Sequence, residues 1–353
     1  MPKSMALKRL CFHPILCCAF ISAIATASAL CQSTPLPNDP KDLMRLAAQS
    51  NSIGGADMQP WHLKFHFQAY DEKGHPTDQG TFEEFWAGAH KSKITYTSPE
   101  FTQTRYETES GVLFSGERDA PPFIFGPIIY QFINPMALND QFDQSTVNHQ
   151  KRDINKTRLL CVSQKFHQTK PIVAEFNGNW FCLDPDTAAL RAQLNSNEDL
   201  AFTYDNPVRL QGHVVPTVVS SVRGKVTLYT ATLDTAETLS TVNDADFAAP
   251  PTALPPARIV PLPPDVALSF IVSQPKPVYP PIAQAFRLSG TVVLNITIGT
   301  SGRVIGLGVV SGPPMLQGAA IESVKKWTFK HFTDKGEPVQ VETQASVPFR
   351  LPL

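Results

Sequence analysis

"GTVVLNITIGTSGRVIGLGVVSGPPMLQGAAIESVKKWTF", residues 290–329, changes its period halfway along. Val292, Leu294, Ile296 and Ile298 fall on every second residue, the pattern of a strand buried on one face. Gly299-Thr300-Ser301-Gly302 supplies a tight turn, and Ile305, Leu307 and Val309 continue the alternation on a return strand. From Pro314 the spacing lengthens: Leu316, Ala320, Val324 and Trp327 follow steps of four, four and three residues, a single helical stripe. Pro314 suits a first helical turn, and Lys325 and Lys326 suit the negative end of the helix dipole. The spacing predicts a helix over 314–327 that covers the apolar face of the hairpin.

The end of the chain adds one more strand. Val339, Val341, Ala345, Val347 and Phe349 share one side, and Gln340, Glu342, Gln344, Ser346 and Arg350 share the other. Pro348 cannot donate a ladder hydrogen bond, so this strand belongs at a sheet edge. Residues 274–353 are therefore expected to form a small three-stranded antiparallel sheet packed by helices. Before it, "PPTALPPARIVPLPPD", residues 250–265, is dense enough in proline to favour extended, semi-rigid chain. The segment 243–273 is expected to be a linker.

With 353 residues, two globular units are the expectation. Apolar residues make up 42% and charged residues 17%, enough for a core and too few charges for a disordered chain. A net charge of −1 gives no basic footprint for nucleic acid. At the start, Lys3, Lys8 and Arg9 precede the apolar run 15–25, which leads to Ala27-Ser28-Ala29. Residues 1–29 read as a secretory signal, with a retained anchor over 11–30 as the alternative. Residues 30–60 form a lead-in, with a short helix capped by Asp39-Pro40 and carrying Leu43, Met44, Leu46 and Ala47 inward.

Residues 61–242 read as a β-rich unit, which makes the whole chain α+β. Trp61, Leu63, Phe65 and Phe67 alternate with His62, Lys64, His66 and Gln68 in a half-buried strand, and short strand-like pieces recur from there. The apolar stretch 122–138 is broken by Gly126-Pro127 and Asn134-Pro135, so it reads either as a helix packed on the sheet or as a lid. Residues 140–158 are polar and read as a loop or surface helix. Export permits a disulfide, and Cys161 and Cys182 follow apolar pieces that fit neighbouring strands, so the pair is expected to be bridged. His62 and His66 would share a metal on a helix, but on a strand they stand about 13 Å apart, so no metal site is expected. No Gly-x-Ser-x-Gly elbow, phosphate loop or Cys-x-x-Cys is present, and the chain is read as a non-enzyme without cofactor.

Tyr279-Pro280, Ala283, Gly290, Ser301-Gly302, Ser311-Gly312, Leu316, Ala319-Ala320, Trp327, Phe329 and Val347-Pro348-Phe349, in this order and spacing, resemble the C-terminal domain of the TonB family, the periplasmic energy transducers of outer-membrane transport. The resemblance spans 274–351. Gln317 departs from the family's usual Asp, and Gln274-Pro275 stands farther from Tyr279 than the family's Gln-Pro pair does. The resemblance implies docking on an outer-membrane receptor by addition of a partner strand. The positions it points to are Gln274, Tyr279, Val339, Gln340, Val341, Glu342, Gln344, Val347 and Phe349. The family's Ser and His pair in the anchor helix has no counterpart around His13, which implies that this chain alone does not energise transport.

Within residues 200–233, the rhythm of Tyr204, Gly212 and Pro216 is similar to the curved half-barrel of lipoprotein carriers of the LolA and LolB type. That likeness implies a lipophilic cavity lined or covered by Phe123, Phe125, Ile129 and Phe132. Two functions follow from the resemblances. One is a periplasmic TonB-family protein that docks on a receptor strand. The other is a periplasmic carrier or sensor of a lipid or other apolar ligand, with the C-terminal unit as a tether.

Overall fold

The computed structural model describes residues 35–140, 142–165, 179–194 and 200–351. The expected signal and the alternative anchor lie outside the described residues. Helix α1 (Pro40–Ser50) starts where expected: the Asp39 carboxylate accepts from the backbone N–H groups of Lys41 and Asp42, and Leu43, Met44 and Ala47 are buried.

Twelve strands then build one antiparallel sheet. They are β1 (Trp61–Tyr70), β2 (Pro76–Trp86), β3 (Ser92–Ser98), β4 (Phe101–Thr108), β5 (Gly111–Gly116), β6 (Thr146–Ile154), β7 (Thr157–Lys165), β8 (Trp180–Leu183), β9 (Leu190–Leu194) and β10 (Leu200–Asp205), with two more after a small hairpin. That hairpin is β11 (Val208–Leu210) with β12 (His213–Val215), and the last two strands are β13 (Val218–Arg223) and β14 (Val226–Thr238). The spatial order is β5-β4-β3-β2-β1-β14-β13-β10-β9-β8-β7-β6, so the first and last strands of the region meet in the middle and β5 and β6 form the edges.

One face of this sheet holds the core. Helix α2 (Phe125–Ile133) arises from the broken apolar stretch and lies against it. Phe132 stacks on Phe65 at 4.5 Å, Phe65 stacks on Phe82 at 5.1 Å, and Phe125 meets Phe67 and Tyr96 edge-on at 5.2 and 5.4 Å. The Tyr204 hydroxyl donates to Gln131 of α2 and ties the helix to the sheet; burial holds that phenol far above its ordinary pKa. On the other face, a small cluster of Leu159, Cys161, Cys182 and Ala192 surrounds the disulfide between Cys161 and Cys182, which are partners on β7 and β8. The polar stretch 140–158, read as loop or helix, instead contributes β6. It is an edge strand whose His149, Lys151 and Asp153 are exposed, so it carries no alternating apolar signal.

After α3 (Asp244–Phe247), the proline-rich segment gives β15 (Ile259–Pro261), α4 (Pro264–Leu268) and β16 (Ile271–Ser273). Then come α5 (Pro281–Ala285), β17 (Gly290–Ile298), β18 (Val304–Ser311), α6 (Pro314–Val324), the two-residue strands β19 (Thr328–Phe329), β20 (Thr333–Asp334) and β21 (Glu337–Pro338), and β22 (Gln340–Phe349). The second sheet runs β15-β22-β17-β18. Its three expected antiparallel strands are joined by a fourth, β15, which pairs parallel with β22. Leu316, Ala320, Val324 and Trp327 are all buried against Val292, Leu294, Ile296 and Ile298, although the helix closes at Val324 and Trp327 follows it. The chain is mostly β with a few helices rather than evenly α+β, because its helices only cover sheet faces.

Candidate partner-docking edge

Strand β22, expected at the sheet edge because of Pro348, is instead second in the sheet: β17 pins one side along its length, and β15 pairs with the start of the other. Val341, Ala345, Val347 and Phe349 pair with β17 and are buried, as is Val339 just before the strand. Alternation along the ladder sends the N–H and C=O groups of the odd-numbered residues toward β17 and those of the even-numbered residues outward. The hydrogen bonds agree: Gln340 N–H donates to the Arg258 carbonyl at 2.9 Å, and Leu262 N–H donates to the Glu342 carbonyl at 2.9 Å. The outward groups of Gln340 and Glu342 are thus satisfied by the chain's own β15. Among the described residues, no strand pairs with the outward side of Gln344, Ser346 and Pro348. Gln344 and Ser346 each present a donor and an acceptor, and Pro348, lacking an N–H, presents only its carbonyl. The proline therefore sits where its missing donor breaks no ladder bond.

The structure sorts the sequence-derived positions. Val339, Val341, Val347 and Phe349 have their side chains in the core and can contribute only backbone or support. Glu342 and Gln344 are exposed, with Gln344 Nε2 donating to Asn295 Oδ1 at 3.0 Å across the solvent face. Tyr279 meets Phe349 edge-on at 5.5 Å and donates its hydroxyl to the Leu288 carbonyl, so it braces the far end of β22. Gln274 is exposed in the loop whose Pro275 carbonyl accepts from Ser323 Oγ at 2.6 Å. Gln340 is buried and turned away from any partner: its Nε2 reaches Asp119 Oδ1 at 3.3 Å.

Asp119 is the group that reading the sequence missed. It is 1% exposed, and its carboxylate accepts from the N–H and hydroxyl of Thr300 at 2.7 and 3.1 Å and from those of Ser301 at 3.0 and 2.9 Å. Burial alone would raise its pKa, but the bonds from Ser301 and Thr300 together outweigh burial and hold the carboxyl below its usual range. The turn read only as a hairpin connection is thus a docking point for the loop after β5. No periodicity signals such a contact, because its partners are 181 and 182 residues apart. The proline-rich segment is held nearby: Phe114 of β5 exchanges two backbone bonds with Leu254 at 2.7 and 2.8 Å, and Arg118 donates to the Pro255 and Pro256 carbonyls.

The positions proposed for an apolar ligand are differently placed. Phe125 and Phe132 are fully buried in the aromatic stack, Ile129 packs on the same core, and Phe123 packs on the C-terminal cluster beneath the Lys325 ammonium at 5.5 Å. Glu84 lies in register between Leu63 and Ile94 on the same sheet, where burial, reinforced by Glu107 and opposed by Arg105, pushes its carboxyl up to about 8. His62 stacks on Phe85 at 4.0 Å and is bracketed by Glu83 and Glu237 at 3.0 Å each. Among the described residues no group of three or more His, Cys, Asp or Glu is placed to hold a metal.

The family model for the Gram-negative bacterial TonB protein C-terminal region matches residues 275–351. No curated protein matches the chain. Among solved structures, the TonB C-terminal domain of Pseudomonas aeruginosa is similar at 26% identity and a TM-score of 0.21, covering 24% of this chain and 86% of its own. A putative outer membrane lipoprotein-sorting protein domain from Vibrio parahaemolyticus is similar at 8% identity and a TM-score of 0.37, covering 59% of this chain and 95% of its own. A LolA superfamily protein from Nitrosomonas europaea is similar at 10% identity and a TM-score of 0.35, covering 60% of this chain and 99% of its own. Residues 275–351, the segment that carries the half-open edge of β22, thus match the C-terminal module of Gram-negative TonB proteins.

Proposed function

We propose that this is a periplasmic TonB-family protein that docks on an outer-membrane receptor, in TonB-dependent transport, by adding a receptor strand to the outward side of β22 at Gln344–Pro348. The observation that carries this reading is that, among the described residues, the outward backbone groups of Gln344 and Ser346 have no strand partner, beside a stretch satisfied by β15. Main-chain bonds give the affinity, and the exposed Glu342, Gln344 and Ser346 give selectivity. Docking of this kind requires no catalytic group. No helix among the described residues is long and apolar enough to cross a membrane. A carrier role for the β-rich region would require α2 to leave the sheet and uncover Phe125 and Phe132.

The test is a proline at an outward position. Ser346→Pro removes one outward donor and leaves the β17 ladder intact, whereas Val341 points its N–H into that ladder and would confound binding with unfolding. The expected outcome, by calorimetric titration with a receptor-derived peptide, is at least tenfold weaker binding for Ser346→Pro and near-parental binding for Ser346→Ala. Equal binding by the parent and a folded Ser346→Pro variant refutes strand addition at this edge.

A further inference from the structure

The segment from Lys276 to Arg287 presents apolar side chains to solvent on a braced backbone. Val278 is 83% exposed, Ile282 58% and Phe286 70%, three side chains four residues apart along α5 and its approach. The segment is anchored from beneath: Ala283 is fully buried, the Tyr279 hydroxyl donates to the Leu288 carbonyl, and Leu288 N–H donates to the Ala283 carbonyl at 2.9 Å. At its start, the Pro275 carbonyl is held by Ser323 and by Trp327 Nε1. The three side chains are therefore displayed, and nothing in the anchoring lets them fold back into the core.

Charge identifies the occupant. Lys276 and Arg287 flank the apolar trio, both exposed and both without an ion-pair partner among the described residues. No Asp or Glu occurs in sequence between Asp265 and Glu322, and Glu322, on the helix that anchors the segment through Ser323, is paired with Lys325. The backbone suits the same surroundings. Pro275, Pro277, Pro280 and Pro281 carry no N–H, so the segment brings few unpaired donors into an apolar phase and offers little to a pairing strand. A protruding apolar tip rimmed by free cations, on proline-rich backbone, has the chemistry of an interfacial membrane contact.

We propose that Val278, Ile282 and Phe286 insert into the interface of an anionic phospholipid membrane, with Lys276 and Arg287 on the headgroup phosphates. This contact is separate from the strand-addition edge and does not depend on it. Tyr279, which packs on Phe349, sets the tip beside the far end of β22, so a partner strand taken up there would lie close to a membrane surface.

The test places a local reporter in the full chain, because the apolar run at 15–25 would itself partition into vesicles and obscure a sedimentation assay. A Phe286→Trp variant is mixed with phosphatidylethanolamine–phosphatidylglycerol vesicles carrying brominated acyl chains, and its emission is read as the difference from the parent. The expected result is a blue shift and bromine quenching of the added tryptophan. Quenching should need at least tenfold more lipid when Lys276→Glu and Arg287→Glu are combined with it, since each cation contributes roughly fivefold. Unchanged acrylamide access to the added tryptophan with and without vesicles overturns the proposal. Equal quenching in phosphatidylcholine vesicles overturns the anionic assignment, and a blue shift that grows with protein concentration without lipid overturns it in favour of self-association.

Discussion

The twelve-stranded and four-stranded sheets each bury one face, but they close their edges by different means. In the large sheet, β6 is exposed and protected by charge, while β5 is met at Phe114 by Leu254. In the small sheet, β22 is paired over Gln340–Glu342 by β15; beyond that no strand pairs with this side among the described residues, and α4 packs against β22. A single proline-rich run, 254–262, thus covers part of an edge in both sheets. Such chain is extended enough to lie along a strand and has too few N–H groups to recruit another on its far side. The comparison teaches that the segment read as a spacer is an edge cover, whose pairing with β22 ends at Leu262.

The sharpest way to break the comparison is to attack the face of the large sheet. If α2 is core, Phe132→Ala should cost about 3–5 kcal/mol in denaturant unfolding, because the cavity opens between Phe65 and the helix. If α2 is instead a loosely held lid over a ligand space, the loss should stay under about 1 kcal/mol. Next in size is the disulfide: replacing Cys161 and Cys182 together by Ala removes a link over a separation of 21 residues, expected to cost about 3 kcal/mol on the chain-entropy model. Peptide mapping without reductant that finds both thiols alkylatable in folded protein would contradict the bond itself.

Asp119 sharpens the comparison between the regions, since it fastens the β17–β18 turn to the loop after β5. Asp119→Ala should destabilise by about 2 kcal/mol at neutral pH, leaving the donors of Thr300 and Ser301 without their acceptor. Its pKa is lowered on folding, so the folded protein binds fewer protons here than the unfolded chain does. The stabilisation is therefore full above the unfolded pKa of about 3.9 and is lost as pH falls through the folded value. Parent and variant should converge in stability on strong acidification, read from urea midpoints across pH. The smallest expected effect is at the edge cover. Val260→Pro removes the donor that the parallel ladder places on the Gln340 carbonyl, at a cost of about 1 kcal/mol. Proteolysis near 258–262 should quicken, and receptor peptide should gain a longer edge to pair with.

Much of the small sheet was legible because its signals are local. Val292 to Ile298, the glycine turn and the stripe from Leu316 to Trp327 each state a period and a face, and a resemblance then supplied their order in space. The large sheet was legible only as scattered strands, since β1 pairs with β14 across more than 150 residues and no period records which strands meet. β6 escaped because an exposed edge strand has no apolar face to alternate. For the candidate docking side, Pro348 announced an edge strand, yet β15 lies outside β22, and the sequence did not say that Gln340 would turn to Asp119.

By itself, then, the sequence determined the elements: where the hairpin turns, which stripe covers it, and that Cys161 and Cys182 fit neighbouring strands. Those follow from the spacing of side chains along one backbone, which is a local property. Only the tertiary structure decided that Phe125 and Phe132 fill the face of the large sheet, that Asp119 clasps the Thr300-Ser301 turn, and that β15 closes half of the β22 edge. These are contacts between segments far apart in the chain, fixed by which buried acceptors and apolar faces remain unsatisfied once the local elements have formed.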